Sequence, residues 1–220
     1  MKISQFLAAL SIALAVTSVE AVDINVTLSI PQNITATAGQ TVTVPINLGS
    51  IASSFSLDSY QLIVSYDGNF FDTPSSSSFQ LGTLTTGTSY SGLDNVDATN
   101  KYFTILRSNV SNPVTLTASS SGSLMTFSIP VKSSATPGSS GFLNILASQG
   151  ASNTEIITLS GAPDNIKFSP ALGSSSINGL VSINPVPEPS TLIMAGMAFA
   201  GLALIGKKRR KNVTSPATRA

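Results

Sequence analysis

Polar and apolar side chains alternate one for one along residues 23–30 and again along residues 41–48. Successive side chains of an extended strand point to opposite faces. A period of two therefore puts one face of each segment in a core and the other in water. Residues 57–66, 102–107, 123–131, 142–147, 156–159 and 180–183 have the same strand character. Gly, Pro, Ser, Asn and Asp separate these segments, and all of them favour turns. No segment between residues 22 and 185 carries a helical period. About eight or nine short strands broken in this way predict an all-β fold, an antiparallel β-sandwich. Pro45 lies inside one alternating segment and has no N–H to donate. Its strand is therefore expected at a sheet edge or bulged at that point. Pro130 makes a similar demand near the end of its strand.

The surface of this sandwich is short of charge. Only 10% of the residues are charged, against roughly 25% in ordinary soluble domains. Ser, Thr, Asn and Gly take their place. The net charge of +1 conceals an asymmetry, because Lys207, Lys208, Arg209, Arg210 and Lys211 form one run. From Asp23 to Glu188 there are nine acidic and four basic residues. No basic face is available there to neutralise phosphates, so nucleic-acid binding is not expected. Cysteine and histidine are absent. Their absence removes disulfides, thiolate chemistry, most zinc sites and histidine proton shuttles.

The two ends differ from the middle. Lys2 precedes an apolar stretch from Phe6 to Val16, and Val19-Glu20-Ala21 follows with a small residue at its end. This is the pattern of a secretory signal peptide, with cleavage expected after Ala21. At the other end, residues 191–206 carry no charge. As a helix they would be roughly 24 Å long, short of the roughly 30 Å hydrocarbon layer of a membrane. Bilayer thinning and snorkelling lysines can absorb that mismatch. The basic run Lys207–Lys211 then acts as a cytoplasmic stop. Pro187 and Pro189 hold the preceding chain extended. The expected organisation is a signal peptide (1–21), a β-sandwich (22–185), a sorting and membrane segment (186–211) and a disordered tail (212–220).

The sequence Val186-Pro187-Glu188-Pro189-Ser190-Thr191-Leu192, its Gly- and Ala-rich continuation and the Lys207–Lys211 cluster together resemble the PEP-CTERM sorting signal. The resemblance implies recognition of Pro187, Glu188 and Pro189 by an exosortase, a membrane-embedded transpeptidase-like enzyme, with removal of the helix. It also implies a host that makes extracellular polysaccharide, often in biofilms. Three stretches of the middle segment are similar to cohesin domains. They are Ala38-Gly39-Gln40-Thr41-Val42-Thr43-Val44-Pro45, then Tyr60 to Asp67 ending in a Tyr-Asp pair, then Gly122 to Lys132 with Ala135-Thr136-Pro137-Gly138. That likeness implies a cohesin-like jelly roll of the carbohydrate-binding-module type. The matching stretches are core strands, so they carry over no dockerin-facing residues.

Catalytic machinery is not expected. The acids of the middle segment show no spacing that singles out a glycosidase pair. A serine nucleophile would lack a histidine base. The richest run of oxygen ligands is 94–100, with Asp94 and Asp97 as its metal candidates, and oxygen ligands on a loop suit Ca²⁺. It lacks the ligand pattern of an EF-hand, and a solvated turn is the preferred interpretation. No cofactor is expected. Carbohydrate contact would need an exposed ring. Tyr60, Tyr66 and Tyr102 fall in strands, which leaves Tyr90, in the Gly- and Ser-rich segment 82–92, as the candidate. Two functions follow: a non-enzymatic cell-surface or extracellular-matrix protein sorted by exosortase, or a module binding carbohydrate or a protein.

Overall fold

The computed structural model of the chain describes residues 23–158 and 165–184. The expected signal peptide, sorting segment and tail lie outside these residues. Within them the strands are, in order, β1 (Asp23–Ser29), β2 (Ile34–Ala36), β3 (Thr41–Gly49), β4 (Phe55–Leu57), β5 (Ser59–Tyr66), β6 (Phe79–Leu81), β7 (Ser91–Asp97) and β8 (Tyr102–Ser108). There follow β9 (Val114–Leu116), β10 (Gly122–Pro130), β11 (Ser140–Ile145), β12 (Ser148–Gln149), β13 (Ser152–Asn153), β14 (Glu155–Ile157), β15 (Asn165–Phe168) and β16 (Gly179–Ile183).

Two sheets make the sandwich. One runs β15-β1-β3-β10-β6 and the other β2-β16-β11-β5-β8-β7, with β14 also on β5. Most neighbours are antiparallel, as expected. The exceptions are β1 with β15 and β2 with β16, which pair in parallel. A parallel pair needs a long crossover. Here nearly the whole domain separates each pair in sequence, so the last described strands return beside the first.

Pro45 meets its constraint in an unforeseen way. β3 lies inside its sheet, but β1 pairs only with Asn47, Leu48 and Gly49. At Pro45 the one paired neighbour is Thr126 of β10. The strand is thus locally an edge where its missing N–H falls. The β10 register also shifts nearby, between Ser123 and Met125.

Period-two alternation produces the core. Val42, Val44, Ile46 and Leu48 of β3 and Phe127 and Ile129 of β10 point inward from one sheet. Tyr60, Leu62 and Val64 of β5 and Phe103 and Ile105 of β8 face them from the other. Phe103 meets Phe127 across the sandwich at 4.8 Å between ring centroids, near edge-on at 62°. Phe79 of β6 joins Phe103 at 5.0 Å. Such offset contacts suit the ring quadrupole, and each buried ring contributes about 1.5–3 kcal/mol.

The single strand expected over 57–66 is broken. Leu57 ends β4, which pairs with β9, and Ser59 begins β5. Asp58 between them is buried; its N–H donates to Ile157 and its carbonyl accepts from Asn109. The backbone changes partners at that residue.

Candidate binding face

The outward sides of the two sheets differ in chemistry. Thr27, Thr43, Asn47, Thr126 and Ser128 occupy the outer face of the five-stranded sheet. Thr43 and Ser128 face each other with their hydroxyl oxygens 3.2 Å apart. The described residues place no large exposed apolar side chain there. Four such side chains stand out among the described residues: Leu93, Val110, Phe142 and Leu180. Val110 lies between strands; the other three project from the outer face of the seven-stranded sheet.

That face is ordered by strand register. Leu93 of β7 lies opposite Leu106 of β8, which lies opposite Gln61 of β5. Asp97, Tyr102 and Ser65 form a parallel row. Leu93 is 75% exposed on the edge strand. At the far side of the same face, Phe142 of β11 pairs with Leu180 of β16. They are 46% and 38% exposed. The β11–β16 end forms a recess. Isolated surface leucines are unremarkable; several large apolar side chains on one face, against an opposite face of hydroxyls, amides and the two prolines Pro45 and Pro130, mark a contact surface.

The sequence candidates fall elsewhere. Tyr90 is buried, not exposed: its hydroxyl donates to the Leu57 carbonyl, and its ring stands 6.0 Å from that of Tyr60. Burial raises its phenol pKa. The Gly- and Ser-rich context suggests a surface loop, and Thr83, Thr86, Gly87 and Ser89 are exposed, but Gly82, Thr85 and Tyr90 turn inward. Thr85 is fully buried and donates to the Leu124 carbonyl at 2.9 Å. Tyr90 therefore offers no sugar platform.

Asp94 and Asp97 lie on β7 rather than on a loop. Three residues apart on a strand, they project to opposite faces and cannot share an ion. Asp94 faces inward and accepts a forked pair from Arg107, Nη1 at 2.6 Å and Nη2 at 3.0 Å. Arg107 also donates to the Leu106 carbonyl at 2.9 Å. Burial holds the nearby Tyr60 phenol far above its ordinary pKa, with Arg107 pulling the other way. Asp97 turns onto the β7–β8 loop. Its Oδ1 accepts from the N–H groups of Thr99 and Asn100, both at 2.9 Å. Its Oδ2 accepts from the Asn100 amide at 2.8 Å. These bonds, led by those from Asn100, lower its pKa. Pro187, Glu188, Pro189, the Lys207–Lys211 cluster and Ala21 lie outside the described residues.

Phe142 escaped notice in the sequence, although a signal was present. Phe142 and Leu143 are adjacent in a strand. With a period of two, only one of them can face the core. Leu143 does, so Phe142 must face out.

The two sheets form a two-layer β-sandwich domain. The chain matches the cohesin domain over residues 26–168, more than half its length, and it belongs to the cohesin family. It also carries the PEP-CTERM protein-sorting motif over residues 185–210. No curated protein matches it. Similar solved structures include the sixth cohesin of scaffoldin B from Acetivibrio cellulolyticus, in complex with a dockerin. It is 20% identical, with a TM-score of 0.53, covering 73% of this chain and 99% of that one. A cohesin from a Clostridium thermocellum type I cohesin–dockerin complex is 16% identical, with a TM-score of 0.53 and coverages of 72% and 99%. The seventh type I cohesin of a scaffoldin from Pseudobacteroides cellulosolvens is 14% identical, with a TM-score of 0.52 and coverages of 74% and 95%. At these identities the likeness concerns the fold.

Proposed function

We propose that this chain is a non-enzymatic exported protein whose β-sandwich binds a protein partner through the outer face of its seven-stranded sheet. The observation that carries this is the confinement of Leu93, Phe142 and Leu180 to that one face. Leu93 and Leu106 form its apolar contact, with Gln61 and Thr104 as polar surroundings. An apolar centre ringed by hydrogen-bonding groups is the usual composition of a protein interface. Cohesins solved with dockerins support a protein partner as its occupant.

Delivery to that partner rests on the ends of the chain. The signal peptide is cleaved after Ala21, and the 186–211 segment pauses in the membrane. An exosortase recognises Pro187, Glu188 and Pro189, and the Lys207–Lys211 cluster stops transfer. The mature protein resides at the cell surface or in the extracellular matrix, in the company of extracellular polysaccharide. The sorting motif supports this route.

Two measurements test these claims. A photocrosslinking residue at position 93, in cells of the host, is expected to capture one discrete protein, and the same residue at position 43 none. Equal capture at both positions, or none at 93, overturns the docking face. For sorting, Glu188→Ala is expected to leave full-length protein in the membrane; normal processing of that variant overturns the exosortase route.

A further inference from the structure

The recess beside Phe142 has a construction of its own. It encloses about 360 Å³ and is lined by Gln32, Phe142, Asn144, Ser175, Asn178 and Leu180, with Gly179 at its base. That volume falls in the range of small-molecule sites. Among the described residues, no aspartate, glutamate, lysine or arginine lines it. An ionised ligand would lose hydration there without gaining a counter-charge.

The walls are fixed before any ligand arrives. Gly179 lies so close to the segment before β2 that a Cβ there would fall 2.2 Å from the Ile30 Cγ2 and 3.3 Å from the Pro31 carbonyl oxygen. The Leu180 N–H donates to the Pro31 carbonyl at 3.2 Å, and the Ile30 N–H to that of Ile177 at 2.8 Å. Gln32 Nε2 donates to the Ser175 carbonyl at 3.0 Å. Asn178 Oδ1 accepts from the Ile145 N–H at 3.3 Å. A wall held in this way saves the ordering cost of binding.

Those same bonds decide what the recess can offer. Gln32 uses one of its two amide N–H groups on Ser175 and keeps the other, together with its carbonyl as an acceptor. Asn178 accepts one bond at its carbonyl oxygen and keeps a second lone pair there, together with its NH₂ as a donor. Asn144 makes no side-chain hydrogen bond to the described residues, so it keeps both, and the Ser175 hydroxyl can serve either way. Beside these neutral donors and acceptors stands the half-exposed ring of Phe142. A matching ligand has an apolar C–H face and several hydroxyls, each both donor and acceptor, and no charge.

We propose that this recess binds a neutral hexose unit of a polysaccharide. The sugar ring lies on Phe142, and its hydroxyls bond the amides of Gln32, Asn144 and Asn178. The recess lies on the same outer face as the Leu93–Leu106 patch and shares Phe142 and Leu180 with the side chains that mark that face, but sugar binding there does not require the patch to bind protein.

The full chain is titrated with cellopentaose, maltopentaose and mannopentaose, and with an oligogalacturonate as the charged control. Calorimetry and the NMR signals of the Asn144 and Asn178 side-chain amides are followed together. At least one neutral oligosaccharide is expected to bind saturably and move both amide signals. Phe142→Ala is expected to weaken that binding about tenfold or more, and Asn144→Ala about threefold to tenfold. Thr43→Ala, on the outer face of the five-stranded sheet, is expected to leave it unchanged. Both site variants alter exposed or half-buried sheet positions, and their thermal unfolding is compared with that of the parent. Four outcomes overturn the proposal: no neutral oligosaccharide binding at about 10 mM, stronger binding of the galacturonate, sugar binding that survives both site variants, or capture at position 142 of the protein captured at 93 without competition by sugar.

Discussion

Replacing Arg107 by methionine keeps most of its length and apolar stem and removes its charge. Arg107 and Asp94 form a forked ion pair at 2.6 and 3.0 Å on the inner side of the β7–β8 edge. Their side chains retain only 10% and 17% exposure. Removing one partner strands the other in a poorly solvated place, which costs about 3–5 kcal/mol for a fully buried pair. The residual exposure puts Arg107→Met at the low end, about 3 kcal/mol. Adding Asp94→Leu removes the stranded carboxylate. Exchange of a whole buried pair for apolar side chains is close to neutral, so the double variant should lie within about 1 kcal/mol of the parent. Urea unfolding measures both without adding salt, and an unchanged m-value confirms that the compared states are the same. A loss of about 3 kcal/mol corresponds to a fall in Tm of about 6–12 °C for a domain of this size. The reasoning is refuted if the single variant loses less than about 1 kcal/mol, or if the double variant is as unstable as the single one.

Two further perturbations address the same edge strand. Gly92→Ala would set a Cβ 1.7 Å from the Leu106 carbonyl oxygen, a clash with backbone that no rotamer relieves. A loss of about 1–3 kcal/mol is expected, with faster amide hydrogen exchange along β7; unchanged exchange there would count against the packing described. Asp97 has a lowered folded pKa, so its stabilising contribution is complete above the unfolded value of about 3.9 and fades as pH falls through the lower folded value. The stability gap between the parent and Asp97→Ala, followed by urea midpoints from neutral pH into acid, should therefore close in acid, and a gap that widened there would contradict the turn.

Strands with two-sided chemistry were legible from sequence. The residues of β1, β3, β8, β10 and β16 alternate, and the sandwich followed from them. β7 was not legible. Its sequence Ser-Gly-Leu-Asp-Asn-Val-Asp reads as a turn because its inward positions are held by Asp94, paired with Arg107, and Val96, while its outward ones carry Leu93 and Asn95. An ion pair on the inner face hides the alternation that apolar residues would display. β2, β6 and β9 are three residues each, too short for a period to show. The parallel partners β15 and β2 depend on contacts across most of the domain, which no local pattern encodes. The candidate ring failed for a related reason. Tyr90 sits among small residues that suggest a loop, yet its burial is set by Tyr60 and Leu57, far away in sequence.

The last strand has a mechanical consequence. β16 is stitched on one side to β11 and on the other to β2, and its final residue is locked twice more, to Gly138 and Ser139. Tension applied along β16 from beyond Ile183 would load those bonds together in shear instead of opening them one at a time. Forced unfolding is governed by the rate of the first rupture. A chain tethered from that end would thus resist drag far better than one whose terminal strand lay on an open margin.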